Sequence, residues 1–121
     1  MLNKDERTIA VYMKAGALMR LYKTIGAKLF DAVGMVISAA DRKKLLCALH
    51  GIDAVCSNAE NNMFRDHPDL SRQYTDVFYG STELEPRSGV DKAVLAIAKE
   101  IVEEITTPRH IPGLPAWRSG C

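Results

Sequence analysis

Apolar residues recur at helical spacing along the first third of the chain, and they fall on two opposite faces. Asn3 and Glu6 have the spacing of an N-cap residue and its acidic partner, so a first helix is predicted over about residues 4–37. One apolar face lies early in this helix and contains Ile9, Tyr12, Met13 and Met19. The nearly opposite face lies later and contains Leu18, Leu21, Tyr22, Ile25, Leu29, Val33 and Val36.

Two arrangements would cover both faces of this first helix. A break near Gly16 would leave two shorter helices, each with one buried face. Alternatively, one helix of about 50 Å would overhang its own domain and pack on a second subunit. We favour the continuous helix because neither a proline nor a cluster of turn residues marks a break. The predicted interface residues are Leu21, Ile25, Leu29 and Val33.

Three further segments have helical patterns. Ser38 with Asp41 predicts a helix over about 39–66, and Ser88 with Asp91 predicts another over about 89–106. Pro68 suits a first helical position, which predicts a short helix over 68–79. The last helix is expected to dock by Val94, Ile97, Ile101 and Ile105. Because no segment alternates as a strand would, the predicted fold is an all-α bundle of about four helices.

Glycines interrupt the first helix at positions 16, 26 and 34. Each costs up to about 1 kcal/mol relative to alanine in a helix interior. Either these glycines let a neighbouring helix approach closely, or the helix merely tolerates them.

The last fifteen residues differ in character from the predicted bundle. Residues 1–106 form the expected helical domain, and residues 107–121 form an extended or disordered tail because three prolines interrupt them. The tail contains a PxxP spacing from Pro112 to Pro115, and Trp117 is the only tryptophan. The tail is a candidate docking peptide for another protein. Alternatively, Trp117 folds back on the domain or the tail stays disordered.

The amino-acid composition and sequence argue against two classes of partner, nucleic acids and membranes. The 121 residues carry 16 basic and 15 acidic side chains, a net charge of +1. Nucleic-acid binders usually have a clear basic excess, so no nucleic-acid partner is expected. We expect no membrane partner because no apolar run is long enough to span a bilayer. Three cysteines without a CxxC pair and no apolar leader indicate a cytoplasmic protein.

Four polar residues on the second helix are the only candidate site. His50, Asp53, Glu60 and His67 lie close to the apolar stripe of that helix. Imidazole and carboxylate groups that converge in a bundle can bind a divalent metal. Alternatively, these side chains lie at the wet edge of the stripe and pair with Arg20 or Lys23.

The sequence lacks the common catalytic and cofactor-binding motifs, including GxGxxG, HExxH and GxSxG. No cofactor is therefore predicted. The first functional hypothesis is a non-enzymatic interaction or regulatory protein that acts as a homodimer. The alternatives are a bundle that binds a small molecule or a metal, and an enzyme whose site is assembled across subunits.

Overall fold

Helices account for the fold of the described residues, 1–80 and 85–106, in a computed structural model of the chain. The part of the chain that the structure describes contains no strand. The prediction of a small all-α bundle is therefore confirmed. The elements are α1 (Ile9–Val33), α2 (Ala39–Asp66), a 3-10 turn (Arg72–Thr75), α3 (Asp76–Tyr79) and α4 (Gly89–Thr106).

The first helix is continuous, but it is shorter than the predicted span of 4–37. Asn3 and Glu6 do form reciprocal hydrogen bonds, with the Glu6 amide 3.1 Å from Asn3 Oδ1. These bonds close only a single turn at residues 4–6. Thr8 is the true N-cap of α1, because its side chain accepts a hydrogen bond from the Val11 amide. The helix ends at Val33, before the glycine at position 34.

The third predicted helix, 68–79, begins four residues later than predicted: residues 72–79 are helical, first as the 3-10 turn and then as α3. Pro68 follows the end of α2 and lies in a turn in which the Leu70 amide donates to the His67 carbonyl. Ser71 then begins the 3-10 turn, and α3 itself has only four residues. The predicted start was wrong because Pro68 occupies this turn instead of a first helical position, whereas the predicted end at residue 79 is confirmed.

The hydrophobic core lies at one end of the molecule, between the first half of α1, the second half of α2, α3 and α4. Gly16 allows a close approach in this core, because a Cβ atom at this position would collide with the Val77 carbonyl oxygen and side chain. This glycine therefore permits close helix packing. The buried cluster consists of Tyr12, Ala17, Met63, Val77, Phe78, Val94, Ala98 and Ile101.

The last turn of α4 lies outside this core. Ile101 is the final α4 residue in the buried cluster, whereas Ile105 is 72% exposed. The predicted docking contact through Ile105 is therefore wrong, because the apolar stripe of α4 continues one turn beyond the packed region. Val94 is fully buried and Ile97 packs against the cluster, as predicted.

Residues 21–50 form a two-helix segment, which we call the arm. It comprises the second half of α1, the connecting loop and the first part of α2. Only Gly26 and Gly34 are buried in the arm, and the core cluster contains none of its residues. A Cβ atom at Gly26 would lie 2.9 Å from Leu49 Cδ2, so this glycine also permits close helix packing.

Among the described residues, no helix is both long enough and apolar enough to cross a bilayer.

Candidate functional site

One exposed face of α1 carries apolar side chains in a regular pattern. Leu18, Tyr22, Ile25 and Leu29 are each between 44% and 60% exposed. They are spaced by four, three and four residues, which is the heptad spacing of a coiled-coil seam. We call these four residues the α1 strip. Its spacing is continued by Val11, Ala15 and Ala32.

The predicted interface residues divide between the α1 strip and its edge. Ile25 and Leu29 belong to the strip and are exposed. Leu21 is half-buried and packs against the core cluster, and Val33 is half-buried at the end of α1. Of the four predicted residues, two are therefore open to a partner.

The opposite face of α1 is fixed to the core by a buried ion pair. Arg20 Nη1 lies 2.5 Å from Asp91 Oδ1, and both residues are almost completely buried. Arg20 Nε also donates to the Val77 carbonyl at 3.1 Å. Gly80 packs directly on the guanidinium, since a Cβ atom there would overlap it. This pair connects α1 with α3 and α4, so the face that carries the strip has a fixed orientation.

Asp91 is held in its charged form despite its burial. Burial alone would raise the pKa of this carboxyl. The opposing contributions come from the Arg87 amide, which donates to Asp91 Oδ2 at 2.8 Å, and from the Arg20 guanidinium. Together they outweigh burial, so the pKa of Asp91 lies below its ordinary value.

A second polar network connects the start of the chain to the end of α2. Asp66 Oδ2 accepts hydrogen bonds from the Tyr12 hydroxyl at 2.5 Å and from Arg7 Nε at 2.6 Å. The Arg7 guanidinium and the Tyr12 hydroxyl hold the pKa of Asp66 well below its usual range. Burial, followed by the hydrogen bond to Asp66, raises the pKa of Tyr12. This network fixes the segment that precedes α1.

A groove of about 340 Å³ lies between α1 and α2, mostly within the arm and extending to Asp53. Aliphatic and aromatic side chains form most of its wall, and Gly26 lies in this wall where α1 closely approaches Leu49. Lys23, His50 and Asp53 supply its polar groups. Lys23 Nζ lies 3.7 Å from Asp53 Oδ1 and 4.6 Å from the centre of the Tyr79 ring. The apolar lining residues are Tyr22, Ala27, Phe30, Leu46, Leu49 and Ile52.

The four polar residues predicted on α2 do not meet in one site. His50 and Asp53 both line the groove, and Asp53 pairs with Lys23, one of the two partners expected from the sequence. Glu60 is half-buried, and its Oε2 has no hydrogen-bond partner, so burial raises the pKa of its carboxyl. His67 Nε2 lies 2.7 Å from the Arg7 carbonyl oxygen. The described residues contain no group of three or more side chains arranged to hold a metal ion.

Sequence reasoning missed three charged residues that the fold buries: Arg20, Asp66 and Asp91. Arg20 lies on the face of α1 that is apolar one turn earlier, which is the signal that could have placed it in the core. Asp91 was identified only as part of a cap. Its backbone amide does donate a hydrogen bond to the Ser88 hydroxyl, with 3.1 Å between nitrogen and oxygen. No sequence pattern indicated that Asp66 is buried, because Asp66 and its partner Arg7 are far apart in the sequence.

Comparisons with models of protein families, with curated proteins and with solved structures found no match to this chain.

Proposed function

We propose that this protein is a non-enzymatic helical interaction protein that acts as a homodimer through the α1 strip. The observation that carries the proposal is the heptad spacing of four apolar side chains that are about half exposed on one continuous helix. Large exposed apolar patches are uncommon on monomers and usually mark an interaction surface. The strip places four exposed apolar side chains next to one another on one helix face.

A second copy of the chain is the partner that this pattern favours. Residues spaced by four and three lie on one seam, and seams of this kind bury their apolar side chains between neighbouring helices. In a two-fold symmetric dimer, the same patch is used by both copies and must complement itself. An uncharged apolar strip meets this requirement, because leucine and isoleucine side chains pack well against the same side chains of a second copy.

The buried contacts behind the strip favour binding further. Arg20 fixes the opposite face of α1 to Asp91 and to the Val77 carbonyl. A surface that is already rigid loses little conformational entropy on association. The part of the strip near Arg20, at Leu18 and Tyr22, is therefore held in place before a partner binds.

The experiment replaces Ile25 and Leu29 together with glutamate and measures the sedimentation coefficient of the full chain. We expect dimers for the natural sequence and monomers for the variant, because charges buried in an apolar seam are costly. The matched control replaces Val102 and Ile105 of α4, which are also exposed, with glutamate. The control variant is expected to remain dimeric.

Helicity measured by circular dichroism separates loss of the dimer from loss of the fold. Exposed side chains contribute little to the folded monomer, so the strip variant should keep the helical content of the natural chain. A natural chain that sediments as a monomer at all tested concentrations would overturn the proposal. So would a strip variant that remains dimeric.

A second candidate function is the binding of a small apolar molecule in the groove of the arm. Its volume of about 340 Å³, apolar wall and few polar groups are typical of ligand pockets between helices. Fluorescence of anilinonaphthalene sulfonate tests it. Ala27→Phe, which fills the groove, should abolish the signal, whereas Ala54→Phe, which is exposed and does not line the groove, should retain it. Equal signals from both variants would contradict this function.

A further inference from the structure

The loop at the end of the arm presents two apolar side chains to solvent. Met35 and Val36 are 78% and 80% exposed, well above the 44–60% exposure of the α1 strip. They lie between α1 and α2, where the chain reverses direction. We call residues 34–38 the tip. Nothing in the described part of the chain covers its two apolar side chains.

The tip is held in this conformation by specific hydrogen bonds. Arg42 Nε donates to the Gly34 carbonyl at 3.2 Å, and Arg42 Nη2 donates to the same oxygen. The Val36 amide donates to the Val33 carbonyl at 3.0 Å. Ser38 then caps α2 by accepting from the Asp41 amide. The apolar side chains are therefore displayed by a fixed turn.

Positive charge is concentrated on the same end of the molecule. The arm carries five basic and two acidic side chains, whereas the rest of the chain carries eleven basic and thirteen acidic ones. Lys43 and Lys44 are both exposed and lie within about 8 Å of the start of α2 along its axis. In contrast, α4 ends with Glu100, Glu103 and Glu104. The molecule therefore has a basic arm and an acidic end in α4.

We infer that the tip docks on the surface of an anionic lipid bilayer. Met35 and Val36 enter the interfacial layer, and Lys43 and Lys44 lie over the headgroup phosphates. The inference rests on charge complementarity and on the two displayed apolar side chains, and it is independent of the α1 strip. It differs from the expectation from sequence, which considered only membrane-spanning segments.

A bilayer explains both features of the tip, whereas a nucleic acid explains only one. Phosphates of either partner would attract the lysines. Only the bilayer interface also gains from burying apolar side chains. With two apolar residues and two lysines, binding is reversible and depends on the fraction of anionic lipid.

The test is flotation of the full-length protein with vesicles at about 0.1 M salt, where the screening length is roughly 10 Å. Vesicles of phosphatidylcholine alone are compared with vesicles that contain phosphatidylglycerol as well. We expect binding to the anionic vesicles only. Lys43→Gln with Lys44→Gln should weaken it by about twenty-five-fold, since each lysine near an anionic surface contributes roughly a factor of five. Met35→Ser with Val36→Ser should also weaken it.

The matched control replaces Lys92 and Lys99, two exposed lysines of α4, with glutamine. It lowers the net charge equally, and we expect unchanged binding. Equal losses in the control and the tip lysine variant would overturn the inference, as would equal binding to neutral vesicles or no binding at all. A labelled DNA duplex serves as the alternative ligand. If the natural chain binds it tightly and the tip lysine variant does not, the partner is a nucleic acid and the bilayer inference is overturned.

Sedimentation of the Met35→Ser, Val36→Ser variant keeps this inference separate from the proposed dimer. An unchanged dimer with weakened vesicle binding supports a tip that contacts lipid. A variant that becomes monomeric would assign Met35 and Val36 to contacts between copies and overturn the inference.

Discussion

The core end of the molecule and the arm use the same kinds of residues in opposite ways. In the core, Met63 is fully buried and Arg20 is paired with a buried acid. In the arm, Met35 is largely exposed, and Lys23 pairs loosely with a mostly exposed Asp53. Both regions share α1, so one continuous helix supports a packed interior in its first half and an open surface in its second half.

This difference separates the residues that stabilise the fold from those that stay exposed to solvent. A buried residue contributes to folding through contacts within its own chain. The exposed apolar residues of the arm gain little from folding, and only the proposed partners would bury them. We therefore expect substitutions in the core to change the unfolding free energy, whereas substitutions in the arm change association.

The sharpest test of the comparison is a pair of basic residues three positions apart on α1. Arg20→Met leaves Asp91 buried without its partner, so the unfolding free energy should fall by about 3–5 kcal/mol. Lys23→Met removes a partly exposed pair, and its effect should stay within about 1 kcal/mol. Urea denaturation of both variants measures the difference. Equal losses of unfolding free energy in the two variants would contradict the distinction between core and arm.

A matched pair of methionines provides the next test. Met63→Ala removes a fully buried side chain and should cost about 2–5 kcal/mol of unfolding free energy. Met35→Ala acts on an exposed side chain, so its effect should lie within about half a kcal/mol. Thermal and urea unfolding report both values. A comparable cost at Met35 would mean that the tip is packed in solution.

Alanine substitutions at two helical glycines are expected to change the stability of the protein in opposite directions. Gly16→Ala should destabilise the protein by about 1–3 kcal/mol, because the new methyl group meets the Val77 backbone. Gly51→Ala has nothing within 4 Å of its new methyl group and should stabilise α2 by up to about 1 kcal/mol. Melting temperatures measured in parallel test both signs. Stabilisation by both changes would contradict the close approach of α1 and α3.

The pH dependence of stability tests the Asp66 network. The pKa of Asp66 is depressed in the folded protein, so its stabilising contribution is complete above the ordinary carboxyl pKa of about 4. It is lost as the pH falls below that value and the carboxylate becomes protonated in the folded state. Asp66→Asn should therefore flatten the decrease in melting temperature between about pH 4 and pH 2. An unchanged acid profile in this variant would show that the Arg7 network does not stabilise the fold.

Long helices with a regular apolar pattern could be predicted from the sequence, and their caps could be located in part. Ser38 and Ser88 do accept hydrogen bonds from Asp41 and Asp91. The Asn3 cap was also found correctly, but it closes one turn only, since Thr8 provides the cap that α1 uses. A cap pattern identifies a helical turn and does not indicate how far the helix continues.

The candidate site could be predicted less well because it depends on contacts between distant residues. His50 and Asp53 lie on α2 and His67 directly follows its last residue, so 14 positions along the helix axis separate Asp53 from His67 by about 21 Å. Such side chains cannot converge unless other helices bring ligands between them. The ion pair of Arg20 and Asp91 joins positions 71 residues apart, and a charged residue on its own predicts a solvated face.

The continuity of α1 also has a consequence for hydrogen exchange. Because its first half is packed in the core, amides near Ala17 should exchange only through openings close to global unfolding. Amides near Leu29 belong to the arm and should exchange through smaller, local openings. A single helix therefore contains a gradient of protection along its length. A partner that covers the α1 strip should slow exchange mainly in the second half of the helix, because amides near Ala17 are already protected by the core. The first half of α1 then serves as an internal reference.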